Sequence, residues 1–292
     1  MSGAHPIETK NIRFAFWLNT AFVGIELVGG WYTNSLAILS DAFHDFGDSI
    51  SLGLAWYFQV LATRGRDHNY TYGYRRFSLL GALFNGLILI VGSLVIAFYA
   101  FKRMDAPEAT MSEGMAVLAL FGIGINYLAM RKLSHGHSLN ERALSLHLLA
   151  DVLGWVAVLM GAVVIYFTGW YAIDAWLSLL IALYIIYGAV KNVIESVNII
   201  LQKVPKSVDT DQIEADLRSI DGVDDVFDLH VWTLDGERII LSVHLVVPMA
   251  ENRQEVALIR QQARTILNGC GIRHSTIEIT LPGEEYLDEP DR

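Results

Sequence analysis

The segment LAILSDAFHDFGDSISLGLAWYFQVLA, residues 36–62, decides how this chain reads. It exceeds the roughly 20 residues that a helix needs to cross a bilayer. Yet Asp41, His44, Asp45 and Asp48 fall within two helical turns of it. Ionisable groups are costly in hydrocarbon and mark functional positions where they occur. At about 100° per residue, His44 and Asp48 lie within about 40° of each other around the helix, and Asp41 falls near the same face.

Outward from this segment, apolar stretches of spanning length recur at roughly 13–33, 77–101, 112–130, 143–169 and 173–200, so six transmembrane helices are expected. The fifth repeats the motif, with His147 and Asp151 at the same i, i+4 spacing. Composition agrees: 53% of the 292 residues are apolar and 18% charged, against about 25% charged in an ordinary soluble domain. The polar start as far as Asn11 lacks the pattern of a cleaved signal peptide, so the first span is expected to be retained.

Charge sets the orientation. Lys10, Arg13, Arg64, Arg66, Arg75, Arg76, Arg131, Lys132, Arg142, Lys203 and Lys206 fall on one side, and only Lys102 and Arg103 on the other. Both termini are therefore expected in the cytoplasm. The net charge of −10 arises mainly after Lys191 and argues against a nucleic-acid partner. Aromatic residues near span ends, including Trp17, Trp31, Tyr32, Trp56, Tyr57, Trp170 and Tyr171, read as anchors at the bilayer interface.

Pro205 separates the last span from a tail of soluble character, placing the expected boundary between a membrane domain at 1–203 and a C-terminal domain at 204–292. Asp209 and Gln212 have capping-box spacing before a helix carrying Ile213, Leu217 and Ile220. Val226 to Leu234 and Arg238 to Val247 are strand-like and flank Asp235-Gly236, a hairpin signal. A helix from Val256 to Leu267 and a strand from His274 to Leu281 complete an α-β-β-α-β order. A two-residue loop pairs Leu234 with Glu237, setting His244 opposite Phe227 and His230 opposite Leu241, with the two histidines on opposite faces.

With Cys270 the only cysteine, a metal site must be built from histidines and carboxylates. Facing each other, His44, Asp48, His147 and Asp151 would give two imidazoles and two carboxylates, a tetrahedral set suited to zinc and formally neutral when loaded. Histidine ligands count against magnesium and calcium and leave cobalt, iron(II), manganese and cadmium open. Emptied, two bare carboxylates in low dielectric favour protons, so metal and protons compete for the same groups.

The chain resembles the cation diffusion facilitator family over nearly its whole length. The matching residues are Ser40 to His44 and Asp48, Tyr72-Gly73-Tyr74-Arg75-Arg76 with Leu80 to Asn85, His147 through Asp151, and Asp228-Leu229-His230-Val231-Trp232. The resemblance implies a metal/proton antiporter, a homodimer with a cytoplasmic ferredoxin-like tail, and His44, Asp48, His147 and Asp151 as the transport site. A histidine at the first of these positions is typical of zinc-preferring members. A zinc/proton antiporter of a bacterial inner membrane, exporting metal, is the resulting expectation.

Departures from the family pattern are also legible. The loop after the second span offers only Asp67 and His68 as further donors, and they read as solvated loop residues, as do His135 and His137. Phe227 stands where many relatives have a histidine opposite His244, which reduces the tail's prospects as a metal site. His244, His274 and Glu278 remain candidates there, and His230 reads as a structural hydrogen-bond partner. Glu26, Asn85 and Asp174 are further intramembrane polar groups, read as orienting partners or helix–helix contacts. An intramembrane metalloenzyme is disfavoured because the chain lacks His-Glu-x-x-His, Gly-x-Ser-x-Gly and a separate general base. A membrane-bound metal sensor or scaffold is the other alternative.

Overall fold

The computed structural model describes residues 6–62, 67–133, 139–247 and 253–280, without the side chains of 6–16, 18, 19, 51, 52, 55, 56, 58–60, 62, 132, 133 and 139–147. Six long helices come first: α1 (Pro6–Thr33), α2 (Leu36–Ala62), α3 (Phe77–Asp105), α4 (Ser112–Leu133), α5 (Leu139–Thr168) and α6 (Ala172–Ile200). Then follow α7 (Thr210–Arg218), β1 (Asp225–Thr233), β2 (Ile239–Val246), α8 (Arg253–Gly269) and β3 (His274–Thr280). Two compact units result, one formed by residues 1–63 and 80–193, the other by 64–79 and 194–292.

Among the described residues, α3, α6 and the segments Ser112–Arg131 and Leu148–Thr168 are long and apolar enough to cross a membrane. Their outward faces carry large apolar side chains, such as Leu87, Val91, Leu94 and Phe98 on α3 and Leu180, Leu183 and Tyr187 on α6. Such a girdle fits lipid and would be an aggregation liability in water. Small residues let the helices close up. A Cβ on Gly122 of α4 would lie 2.4 Å from the Trp155 ring of α5, and one on Gly86 of α3 would lie 2.5 Å from Val193 of α6. Trp155, fully buried, meets Phe22 of α1 with ring centroids 5.8 Å apart, within a core shared by α1, α2, α4 and α5.

At the end of this unit away from the termini, Asp174 of α6 is buried and accepts from Ser35 Oγ at 2.6 Å and from the Leu36 and Ala37 amides at 2.8 and 3.3 Å. These amides open α2 and have no partner within the helix, so a carboxylate from another helix caps it. Arg103, in the last turn of α3, approaches Asp174 to 3.8 Å and donates to the Asn34 carbonyl at 2.7 Å. Asn34 joins α1 to α2 with φ of 54°, a left-handed conformation that Asn tolerates better than most residues.

In the second unit the strands run in the order β1-β2-β3, antiparallel between β1 and β2 and parallel between β2 and β3, with α8 as the crossover. Ile213 and Leu217 of α7 and Ile259, Ala263 and Leu267 of α8 cover Leu241, Val243 and Leu245 of β2. Asp209 caps α7 as its spacing predicts, accepting from the Gln212 amide at 3.1 Å, but the reciprocal half of the box is replaced: Gln212 Nε2 donates to Asp216 at 2.7 Å.

The hairpin departs from the expected register. Leu234 N donates to the Arg238 carbonyl at 3.1 Å, so the connection is longer than the two-residue loop, and His230 lies opposite Ser242 instead of Leu241. A bulge between Phe227 and His230, where Asp228 takes φ of 52°, absorbs the extra residue and restores Phe227 opposite His244. His230 and His244 therefore share a face, contrary to the expectation from an unbulged pairing.

Candidate metal centre

On α2, His44 Nε2 and Asp48 Oδ2 lie 3.8 Å apart with their side chains 18% and 25% exposed, as the i, i+4 spacing requires of groups on one face. Asp151 of α5 is buried. His147 sits on α5 one turn before Asp151, and its side chain lies outside the described residues. Asp45, one residue after His44, is near enough to Glu26, Asp41, Asp48 and Asp151 to feel each of their charges, so carboxyls of α1, α2 and α5 share one electrostatic neighbourhood. The set combines imidazole with carboxylate in a low-dielectric setting, a chemistry that suits borderline transition metals.

A second group of acids forms that the sequence reading did not assemble. Glu26 of α1 with Asp41 and Asp45 of α2 each offer an oxygen within 4.8 Å of the others, and all three residues are buried. The i, i+4 spacing of Asp41 and Asp45 was a legible signal, but pairing Glu26 with them requires the α1–α2 register.

Elsewhere the candidate donors are occupied structurally. Asp67 accepts from the Asn69 and Tyr70 amides at 2.9 and 2.7 Å and from the Tyr74 hydroxyl, and it closes a turn at the loop surface. The Tyr74 contact, followed by the Tyr70 amide, holds its carboxyl below the usual range. His68 is exposed, and His135 and His137 lie outside the described residues. In the tail, Asp228 bridges the two histidines, 2.7 Å from His230 and 3.6 Å from His244, and Glu278 approaches His244 to 3.7 Å. His244 also meets the Phe227 ring at 4.9 Å. His274 lies four residues from Glu278 along β3, about 13 Å at roughly 3.3 Å per residue, and packs edge-on against Tyr72. It does not join the cluster.

Comparison with known proteins bears on the whole chain. Residues 12–201 match the family described as the cation efflux transmembrane domain, and residues 205–280 match the cation efflux protein cytoplasmic domain. The chain belongs to the cation diffusion facilitator family. It is 35% identical over 281 residues to the metal cation efflux system protein CzcD of Cupriavidus metallidurans, covering 96% of this chain and 89% of that one. It is 33% identical to a cadmium, cobalt and zinc/H(+)-K(+) antiporter of Bacillus subtilis, covering 95% and 90%. It is 32% identical to the zinc transporter ZitB of Escherichia coli, again covering 95% and 90%.

Family membership makes this chain a multi-pass membrane transporter of metal cations and not an enzyme. A cation diffusion facilitator needs a cation site within its spans. Among the described residues, α1, α2 and α5 bring buried acids into one neighbourhood, whereas Asp174 caps the start of α2.

Proposed function

We propose that this transporter exports zinc across a bacterial inner membrane in exchange for protons, taking the ion between α2 and α5 on His44, Asp48, His147 and Asp151. The observation that carries the reading is the His44–Asp48 pair on one face of α2, at 3.8 Å, in the same charge neighbourhood as buried Asp151. Matching i, i+4 pairs on two helices make a four-donor set in which two carboxylates neutralise a divalent ion. On release, the same carboxylates take up protons, so the two cargoes exclude each other and the exchange is coupled at one site. Alternating exposure of that site to the two sides would complete the cycle.

The names of the relatives support zinc and keep cadmium and cobalt in view. Iron(II) and manganese stay within the range of the donor set. The cytoplasmic-domain match over 205–280 supports a tail inside the cell, and the Lys/Arg distribution supports the same side for both termini. We take 1–203 as the membrane domain and 204–292 as a tail that pairs two copies into a homodimer.

Purified protein in liposomes under an imposed pH gradient tests the reading, with zinc, cobalt, cadmium, manganese and iron(II) assayed beside Asp151→Ala. Gradient-driven zinc movement lost in the variant is expected. Tight zinc binding without movement of any metal would instead mark a sensor or scaffold.

A further inference from the structure

Glu26 is fully buried, and the only described group placed to share a hydrogen bond with its carboxyl is another acid, Asp45; no described amide, hydroxyl or other ordinary donor reaches either oxygen. Burying a carboxyl group with only another acid beside it is costly, and gathering three carboxyl groups in one buried place adds mutual repulsion. Glu26, Asp41 and Asp45 are nevertheless held with one oxygen each inside a 4.8 Å sphere of mutual distance. The sequence from Phe14 to Thr63, which covers α1 beyond its first two turns and all of α2, contains no Lys or Arg.

The spacing has a direct chemical meaning. Oxygen ligands at about 2.4 Å from one cation are at most about 4.8 Å apart, and three oxygens within that limit of one another lie no more than about 2.8 Å from a common centre, close to the coordination range of a single ion. We propose that Glu26, Asp41 and Asp45 form a second cation site in the membrane unit, made of oxygen alone and selective for a hard divalent cation. It is chemically distinct from the His44 set, which has nitrogen donors and favours zinc. Two carboxylates balance the ion's charge and the third is satisfied by a proton or by the ion's remaining coordination. Glu26 is the member contributed by α1, so an ion here would bridge α1 to α2 next to the helix face that bears His44 and Asp48. The inference stands independently of whether the His44 set carries zinc.

The test uses full-length protein in detergent micelles, titrated separately with Mn2+, read from the paramagnetic resonance signal of the free ion, and with Zn2+, read by chelator competition. Wild type and a His44→Ala/Asp151→Ala variant are both expected to hold Mn2+. Glu26→Gln, which keeps the side chain's shape, is expected to weaken Mn2+ binding tenfold or more while its zinc affinity stays within threefold of wild type, which also shows that the variant is folded. Asp45→Asn gives a second, independent loss of Mn2+. The proposal is overturned if wild type holds no Mn2+, if Glu26→Gln or Asp45→Asn titrates as wild type, or if the His44→Ala/Asp151→Ala variant loses the Mn2+ site. That last result would place manganese on the transport ligands. Zinc affinity unchanged in the same variant would instead count against the transport-site reading alone.

Discussion

Replacing Asp151 with Ala removes one of two carboxylates proposed to neutralise a divalent ion, and its burial decides the size of the effect. Asp151 is 8% exposed, so water cannot replace the lost ligand, whereas the Asp48 side chain is 25% exposed and water can in part. Breaking a buried charge pair by deleting one partner costs about 3–5 kcal/mol. At about 1.4 kcal/mol per tenfold, this is roughly a 100- to 4,000-fold loss of zinc affinity for Asp151→Ala. Asp48→Ala should lose less, and Asp151→Asn, which keeps an oxygen donor but no charge, should fall between Asp151→Ala and wild type. Competition with a chromophoric chelator at neutral pH measures all three, and wild-type affinity should fall as the pH is lowered, because protons and metal share the ligands. An Asp151→Ala protein that binds zinc within threefold of wild type, or an inverted order of Asp48 and Asp151, would refute the reasoning.

Other perturbations test other parts of the structure. His44→Asp should let harder, oxygen-preferring ions compete better with zinc in liposome flux, and an unchanged metal profile would count against imidazole as the source of selectivity. Gly122→Ala sets a Cβ 2.4 Å from the buried Trp155 ring, so thermal stability in detergent should drop by an amount typical of overpacking, about 1–3 kcal/mol. Asp209→Ala removes the cap of α7 and should raise amide hydrogen exchange in that helix by an amount equivalent to about 1 kcal/mol. Burial raises the Asp235 carboxyl, but the Arg238 and Glu237 amides and Arg75 outweigh it and leave the group below its usual range. A depressed carboxyl stabilises the fold above the ordinary Asp value, about 4, and loses that contribution as pH falls through the lower folded value, so exchange protection of the β1–β2 turn should fall between pH 5 and 3 in wild type and not in Asp235→Asn.

Helix length and hydropathy made the six membrane helices legible, because a spanning segment must satisfy its backbone internally and present apolar side chains outward. The tail's order was legible for a related reason: Ile213, Leu217, Leu241, Val243 and Leu245 carry periods of about 3.6 and 2 that match the face each element buries. Two things were hidden. The turn runs longer than Asp235-Gly236 suggests and sets His230 on the face of His244, and the bulge that then restores Phe227 opposite His244 depends on a left-handed backbone at Asp228, a residue that looks ordinary in an alternating strand. The Glu26–Asp41–Asp45 group depends on how α1 lies against α2, which neither helix's own periodicity encodes.

Asp174 ties the opening turn of α2 to α6 through a side-chain hydroxyl and two amides. Any motion that tilted α2 away from α6 at that end would strip three donors from a buried acceptor at once, so the two helices must travel as one lever arm there.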